Sequence, residues 1–342
     1  MPEPSRQHTD FAVEEQETVS HESGFEIEEL GGPDDQRIVR VSIDGVAHSS
    51  ATTTYPVHFI EALAEVVGLD WLCDQIERNE DYAAMEADLE LSLFSYFDRE
   101  DFAGKRVLDF GCGTGASTAL LSKFMPEARL VGTELDEERM RIAKLRMDVI
   151  GQQAEFFTAP SGTELNADLG RVDFIVLSAV YEHMLPDERA TLLPKIWDAL
   201  EPGGVLFLNQ TPDVRFPFEA HTTGLPLVNY MPQALALPFS KLSKRVDNGC
   251  DWEALLRAGV RGGRPSTIIK ELGAKPNEVR LLEPNGPGIS RQSDIWYVAF
   301  EGRQAEKFSG MKLTLVKAAC KVLKDVLRIP VAPYLSLAIQ KI

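Results

Sequence analysis

Val107-Leu108-Asp109-Phe110-Gly111-Cys112-Gly113-Thr114-Gly115 decides how this chain is read. An apolar run, Arg106 to Phe110, predicts a short buried strand. Three glycines follow at alternate positions, and Thr114 to Phe124 reads as a helix. Glycine lets the backbone turn sharply and lets a ligand approach it closely. The start of the helix then offers free N–H groups and the positive end of its dipole. A strand, a glycine turn and a helix make a ligand-binding corner, and nucleotide-cofactor enzymes of several kinds use one.

Downstream, strands alternate with helices. Strands are expected at Arg129–Thr133, Glu155–Thr158, Val172–Leu177 and Val205–Asn209, with helices at Glu137–Val149 and Asp187–Ala199. That order predicts an α/β fold: a Rossmann-like, doubly wound, mostly parallel sheet with helices on both faces. Val279–Leu282 and Asp294–Phe300 read as the last two of seven strands, after a helix at Ser266–Leu272. Residues 211–263, rich in Pro, Gly and aromatic residues, form an insertion after the fifth strand and are expected to act as a lid. The α/β domain is thus expected to span 104–302.

Upstream, residues 1–35 are acidic and short of apolar anchors, which predicts a disordered arm. Residues 36–103 read as an N-terminal cap. Arg37–Ile43 alternates as a half-buried strand does, Asp44-Gly45 marks a turn, and His58 to Phe97 has helical apolar spacing. The end of the chain, 303–342, is expected to be a basic amphipathic helical segment. Lys317, Lys321, Lys324 and Arg328 share one helical face within 311–328, opposite a broad apolar face. Such a helix suits an anionic membrane surface, its own domain, or a second copy in a homodimer.

Composition narrows the partners. The 342 residues carry a formal charge of −18, which disfavours nucleic acid because phosphate neutralisation needs a basic face. The four cysteines, 73, 112, 250 and 320, form no CxxC pair, and the histidines complete no zinc pattern, so no metal is expected. The N-terminus lacks an apolar signal region and no stretch suits a bilayer-crossing helix, which predicts a cytoplasmic protein, with membrane association only through 311–328.

Glu134 closes the second strand, and a carboxylate about 20 residues past a glycine turn can accept both hydroxyls of a ribose. Nicotinamide enzymes share that logic. The spacing of the glycines separates the two: Asp109, Gly111, Gly113 and Gly115 resemble motif I of class I S-adenosylmethionine-dependent methyltransferases, an acid followed by Gly-x-Gly-x-Gly, whereas G-x-G-x-x-G puts its third glycine one residue later. Val172 to Met184 resembles the family's fourth-strand segment, and Leu200-Glu201-Pro202-Gly203-Gly204-Val205 its turn into the fifth strand. The likeness covers about 104–210 and is to the small-molecule group that includes ubiquinone-pathway enzymes, not the DNA or protein methylases.

The resemblance implies S-adenosyl-L-methionine as cofactor. It implies a cofactor site of Asp109, Gly111, Cys112, Gly113, Gly115, Glu134, Leu135 and Ser178, with Ala179 beside the sulfonium. Asp109 would act on the amino-acid end through the loop or a water, Glu134 would hold the ribose, and Leu135 would flank the adenine. Family members often place an acid after the third strand; here Thr158-Ala159-Pro160-Ser161 leaves Ser161 or a backbone carbonyl for the adenine amino group. The implied reaction is methyl transfer to a small-molecule acceptor at oxygen, with an apolar or lipid-linked acceptor in view. His183 after the fourth strand and His221 in the insertion are the candidate catalytic residues, each with an ordinary structural role as its alternative. Phe216, Phe218, Tyr230 and Met231 are candidates for an apolar acceptor pocket or for the packing of the insertion. A nicotinamide-dependent oxidoreductase and a non-catalytic cofactor-binding scaffold are the competing readings.

Overall fold

The computed structural model describes residues 18–20, 24–30, 35–43, 46–80, 85–296, 298–299 and 332–342. The chain divides into two compact units, Met1–Glu80 and Asp81–Ile342.

In the first unit, β1 (Thr18–Ser20), β2 (Phe25–Glu29), β3 (Arg37–Ile43) and β4 (Val46–Thr53) form an antiparallel meander in chain order. Helices α1 (Val57–Val67) and α2 (Leu69–Glu80) follow, and α2 lies against β3 and β4. This corrects two expectations. Strands β1 and β2 fall inside the stretch expected to be a disordered arm, and the cap, expected as one strand followed by helices, has a second strand in β4, its unit ending at Glu80. Only two buried apolar residues anchor β2, Phe25 and Ile27, and they pair with Val41 and Val39 of β3. Glu26 and Glu28 lie on the other face, where Glu28 pairs with Arg40, and Glu29 at the end of the strand pairs with Arg37 opposite it. A strand whose charges are matched across the sheet reads as an acidic tail when taken alone. The Asp44-Gly45 turn and residues 1–17 lie outside the described residues.

The second unit is built on a sheet of seven strands. These are β5 (Arg106–Phe110), β6 (Arg129–Glu134), β7 (Glu155–Thr158), β8 (Val172–Ser178), β9 (Leu200–Pro212), β12 (Val279–Leu281) and β13 (Tyr334–Lys341). Their spatial order is β12-β13-β9-β8-β5-β6-β7. Strands β5 to β9 run parallel, and β13 is antiparallel to both β9 and β12. The strand order reverses at β5, between β8 and β6, and ligands bind at such a switch point outside the carboxyl ends of the strands. Helices α3 (Met85–Phe94), α4 (Ala116–Phe124), α5 (Glu137–Val149) and α6 (Pro186–Ala199) cover the sheet. Alternate residues of β9 show why both faces are closed: Leu206 and Leu208 join one apolar core, Val205 and Phe207 the other.

The seventh strand is not where the sequence reading puts it. Residues 292–296 and 298–299 are helical. The Asp294 carboxylate accepts the N–H groups of Ser290 and Arg291, and Ile295 and Ala299, four apart, are buried. Tyr334–Lys341 takes the strand position instead, within the segment expected to be a basic helix. It is buried on both faces, so it lacks the alternation that marks a strand with one wet side. Residues 303–331, including Lys317, Lys321, Lys324 and Arg328, lie outside the described residues. No helix among the described residues is long and apolar enough to cross a membrane.

Residues 211–263 are folded. They carry a small hairpin of β10 (Phe218–Glu219) and β11 (Leu225–Pro226), then α7 (Gln233–Ser240) and α8 (Trp252–Arg257), with α9 (Pro265–Glu271) following. Val228, Ala236, Val246, Leu255 and Val260 give the insertion its own apolar core.

Candidate functional site

The glycine corner has the geometry that its sequence requires. Gly111, Gly113 and Gly115 have φ of +74°, +54° and +82°, the left-handed region that side chains disfavour. A Cβ on Gly111 would stand 2.7 Å from a methyl of Val180, and one on Gly115 would stand 2.8 Å from the Ala143 backbone of α5. A Cβ on Gly113 would meet nothing within 4 Å, so the loop faces open space there. Glu134 at the end of β6 reaches back to this loop. One of its oxygens accepts the Gly113 N–H at 2.9 Å, the other the N–H groups of Leu135 and Asp136 at 2.8 and 3.1 Å. Two carboxylate oxygens offer about four acceptor positions, so Glu134 has capacity left for a hydroxyl donor.

Asp109 lies beneath the loop, 2% exposed, and one of its oxygens accepts both Ser117 Oγ at 2.7 Å and Thr118 Oγ1 at 2.6 Å. Burial pushes its carboxyl up to about 6, against the pull of those two hydroxyls. Asp109 therefore ties the loop to the first turn of α4. The Cys112 thiol is buried against Met140, Ala143 and Phe156, and burial raises its pKa well above the ordinary thiol value. Only the backbone of Cys112 is left to face a ligand; its N–H is already given to Thr133 O.

Leu135 is 51% exposed, an unburied apolar surface directly after the ribose-type carboxylate. Ser161, by contrast, is drawn into its own turn, with its hydroxyl against Thr163 Oγ1 and accepting the Thr163 N–H. At the neighbouring strand ends, Ala179 and Gln210 are non-glycine residues with φ of +55° and +59°. Such strain collects where a structure is built around a ligand.

Two residues that the sequence reading passed over belong here. Arg146 on α5 is fully buried, and its guanidinium donates to the carbonyl oxygen of Thr114 at 2.8 Å, fixing the glycine loop from behind. A charged residue in a buried helix face cannot be told from a surface one by spacing alone. Asn209 on β9 pairs beside Ser178, 2% exposed, and neither polar atom of its amide has a hydrogen-bond partner among the described residues. Its signal was a polar residue at the end of Val205-Leu206-Phe207-Leu208.

The two candidate histidines meet. Their ring centroids are 5.4 Å apart, His183 in the turn after β8 and His221 in the hairpin of the insertion. Glu219, buried under that hairpin, accepts the N–H groups of His221, Thr222 and Thr223 and so holds the loop in place. Burial and the nearby His183 imidazole lower the His221 pKa below the usual histidine value. Glu182, fully buried between them, accepts Thr211 Oγ1 on one oxygen, and burial raises its pKa. Phe216, Phe218, Tyr230 and Met231 do not close into an apolar pocket: Phe218 and Tyr230 are more than half exposed.

Residues 107–204 match the family model described as a methyltransferase domain. That stretch runs from the glycine strand β5 into the first residues of β9, and it holds Asp109, the three glycines, Glu134 and Ser178. The chain carries a class I S-adenosylmethionine-dependent methyltransferase domain. The match favours the methyltransferase reading over the nicotinamide one. A trans-aconitate 2-methyltransferase of an Azoarcus species is 42% identical over 195 residues, 57% of this chain and 60% of that protein. A ribosomal protein methyltransferase of Pseudomonas paraeruginosa is 30% identical over 131 residues, 37% of this chain and 42% of that protein. A ubiquinone biosynthesis O-methyltransferase of Idiomarina loihiensis is 32% identical over 108 residues, 31% of this chain and 42% of that protein. The chain thus spans three fifths or less of each of these relatives, and they act on both small molecules and protein. In the methyltransferase domain, the residues present suit the cofactor: an unfilled space at Gly113, a carboxylate with spare acceptor capacity and an exposed leucine beside it.

Proposed function

We propose that this protein transfers a methyl group from S-adenosylmethionine to an oxygen of a small-molecule acceptor. The observation that carries the proposal is the link between Glu134 and the glycine loop, a 2.9 Å bond that joins the ends of β5 and β6 into one cradle. Glu134 would take a ribose hydroxyl on its remaining acceptor position, and Leu135 would cover the adenine. Asp109 would hold the loop at the amino-acid end through Ser117 and Thr118 rather than by direct contact.

When bound, the cofactor supplies an electrophilic methyl carbon on a sulfonium. A carbon–oxygen bond forms to the acceptor as the carbon–sulfur bond breaks, and the acceptor oxygen gives up its proton, if it carries one. Such a transfer gains most from alignment of the two reactants. Ser178 and the strained Ala179 would face the acceptor, and His183, a few residues further along, meets His221 of the insertion. Those imidazoles would contact the acceptor oxygen and help its proton to leave. The trans-aconitate relatives favour a small carboxylate-bearing acceptor. The folded insertion 211–263 would close over it as a lid.

Calorimetric titration of the whole chain with S-adenosylhomocysteine, on wild type and Glu134→Ala, tests the cofactor half. Binding that weakens at least about tenfold in the variant, or roughly 1.4 kcal/mol, is expected. Absence of binding to the folded wild-type chain would overturn the reading. Transfer of labelled methyl across a panel of small carboxylic acids and phenols then tests the acceptor. Cofactor binding without transfer to any of them would favour the scaffold.

A further inference from the structure

We propose that Glu182, His183 and His221 form a binding site for one divalent first-row transition ion such as Zn2+. The sequence reading expected no metal, because these residues do not follow a zinc spacing. The fold brings them together all the same. One ligand atom from each lies within 4.8 Å of the other two.

Each residue is prepared for the role. The Nδ1 of His183 lies 2.7 Å from the carbonyl oxygen of Arg257, so it carries the proton and donates it. That leaves Nε2 with its lone pair free, and a backbone carbonyl orienting the far nitrogen is the usual support of a metal-ligating histidine. Arg257 is itself fixed by two 2.6 Å bonds to Glu188. Nε2 of His183 faces Oε1 of Glu182 at 3.8 Å. Two ligands about 2.1 Å from a shared ion span that distance at an angle of roughly 130°.

Glu182 supplies the second, independent observation. Its side chain is fully buried, its Oε2 accepts Thr211 Oγ1 at 3.0 Å, and its Oε1 finds no hydrogen-bond donor among the described residues. A buried carboxylate oxygen with no donor is costly unless a cation or a bound molecule completes it. The incomplete atom is the one turned towards His183. On the other side, Gly259 makes room for the third ligand: a Cβ there would stand 2.5 Å from Cδ2 and 2.8 Å from Nε2 of His221, and 3.2 Å from Cγ of Glu182.

Two imidazole nitrogens and one carboxylate select the ion class. Zinc and its first-row neighbours take mixed nitrogen and oxygen ligands, whereas magnesium and calcium prefer oxygen throughout. Three protein ligands leave a coordination position for an oxygen from outside the protein. Ion binding does not depend on the methyl-transfer reading. Only its use does: the ion would hold an acceptor oxygen and favour its deprotonated form, and the imidazoles would then act as ligands rather than as bases.

The test uses the full chain, stripped with a chelator and titrated with Zn2+, and separately with Co2+ followed by its visible absorption. One equivalent is expected, unaffected by millimolar Mg2+, with affinity falling at least tenfold in Glu182→Gln and in His221→Ala. S-adenosylhomocysteine binding is measured on each variant to show an intact fold. Should Glu182→Gln not fold, His221→Ala alone decides. No stoichiometric binding to wild type, or binding that a folded His221→Ala retains unchanged, overturns the proposal. Because the readout is the metal itself, its failure leaves the methyltransferase reading standing, and the converse holds.

Discussion

The guanidinium of Arg146 donates to the carbonyl oxygen of Thr114 from the far side of the glycine loop, 2.8 Å away and wholly out of water. The chain has put a charge into its core to hold a turn that apolar packing could not orient. Replacing Arg146 by Ala removes its hydrogen bond to the Thr114 carbonyl and opens a cavity behind the loop. We expect a loss of stability on the order of 3 kcal/mol, and S-adenosylhomocysteine affinity reduced about tenfold. Thermal melts and calorimetry check both. A variant with wild-type affinity would show that the loop holds its shape without Arg146.

Asp109 makes a prediction of opposite sign. Its folded pKa, raised to about 6 from 3.8 chiefly by burial, means that the folded protein keeps a proton that the unfolded chain has already released. The stability this group contributes is therefore complete below pH 3.8 and is lost as pH rises through about 6. At neutral pH the buried carboxylate costs on the order of 3 kcal/mol. Asp109→Asn keeps an acceptor for Ser117 and Thr118 while removing the charge. The ligand-free variant should melt above wild type at pH 7.5, and the gap should close towards pH 4. An equal or lower melting temperature at pH 7.5 would show that the two hydroxyl bonds outweigh burial.

How far these features could be read from the sequence depends on what each residue's neighbours in the chain reveal. Glycine positions 111, 113 and 115 and the acid at 134 act through backbone shape and a strand end, which are local, and they stand where the spacing places them. Strands β5, β7 and β3 and helix α5 keep their expected bounds for the same reason. Strand β13 could not be read, because its place between β9 and β12 is set by residues that lie more than fifty positions away. The amphipathic pattern before it invited a helix to run on. Phe25 and Ile27 gain their meaning only from Val41 and Val39 opposite. Likewise, nothing in the sequence near His183 points to His221, because only the fold of the insertion brings their rings to 5.4 Å.

Asn209 tests whether strain and missing hydrogen bonds mark function. A buried amide without partners is a burden that Leu would relieve, since an apolar side chain of similar size has nothing to satisfy. Asn209→Leu should therefore melt at or above the wild-type temperature. Methyl transfer to the acceptor should nevertheless fall by about tenfold or more if the amide serves a ligand. Unchanged turnover would remove Asn209 from the site.

Gly259 separates the acceptor side from the cofactor side. Its φ of +92° disfavours alanine, at about 1–2 kcal/mol, and the added methyl would also press on His221 and Glu182. Gly104 provides the control: its φ is +70°, yet a Cβ there meets nothing within 4 Å. Gly104→Ala should lose similar stability and keep its activity. Gly259→Ala should keep S-adenosylhomocysteine affinity, because β5 and β6 are untouched, while methyl transfer drops by about tenfold or more and Zn2+ affinity falls with it. Equal turnover in the two variants would mean that the placement of His221 does not matter to the reaction, and that the acceptor binds elsewhere along the strand ends.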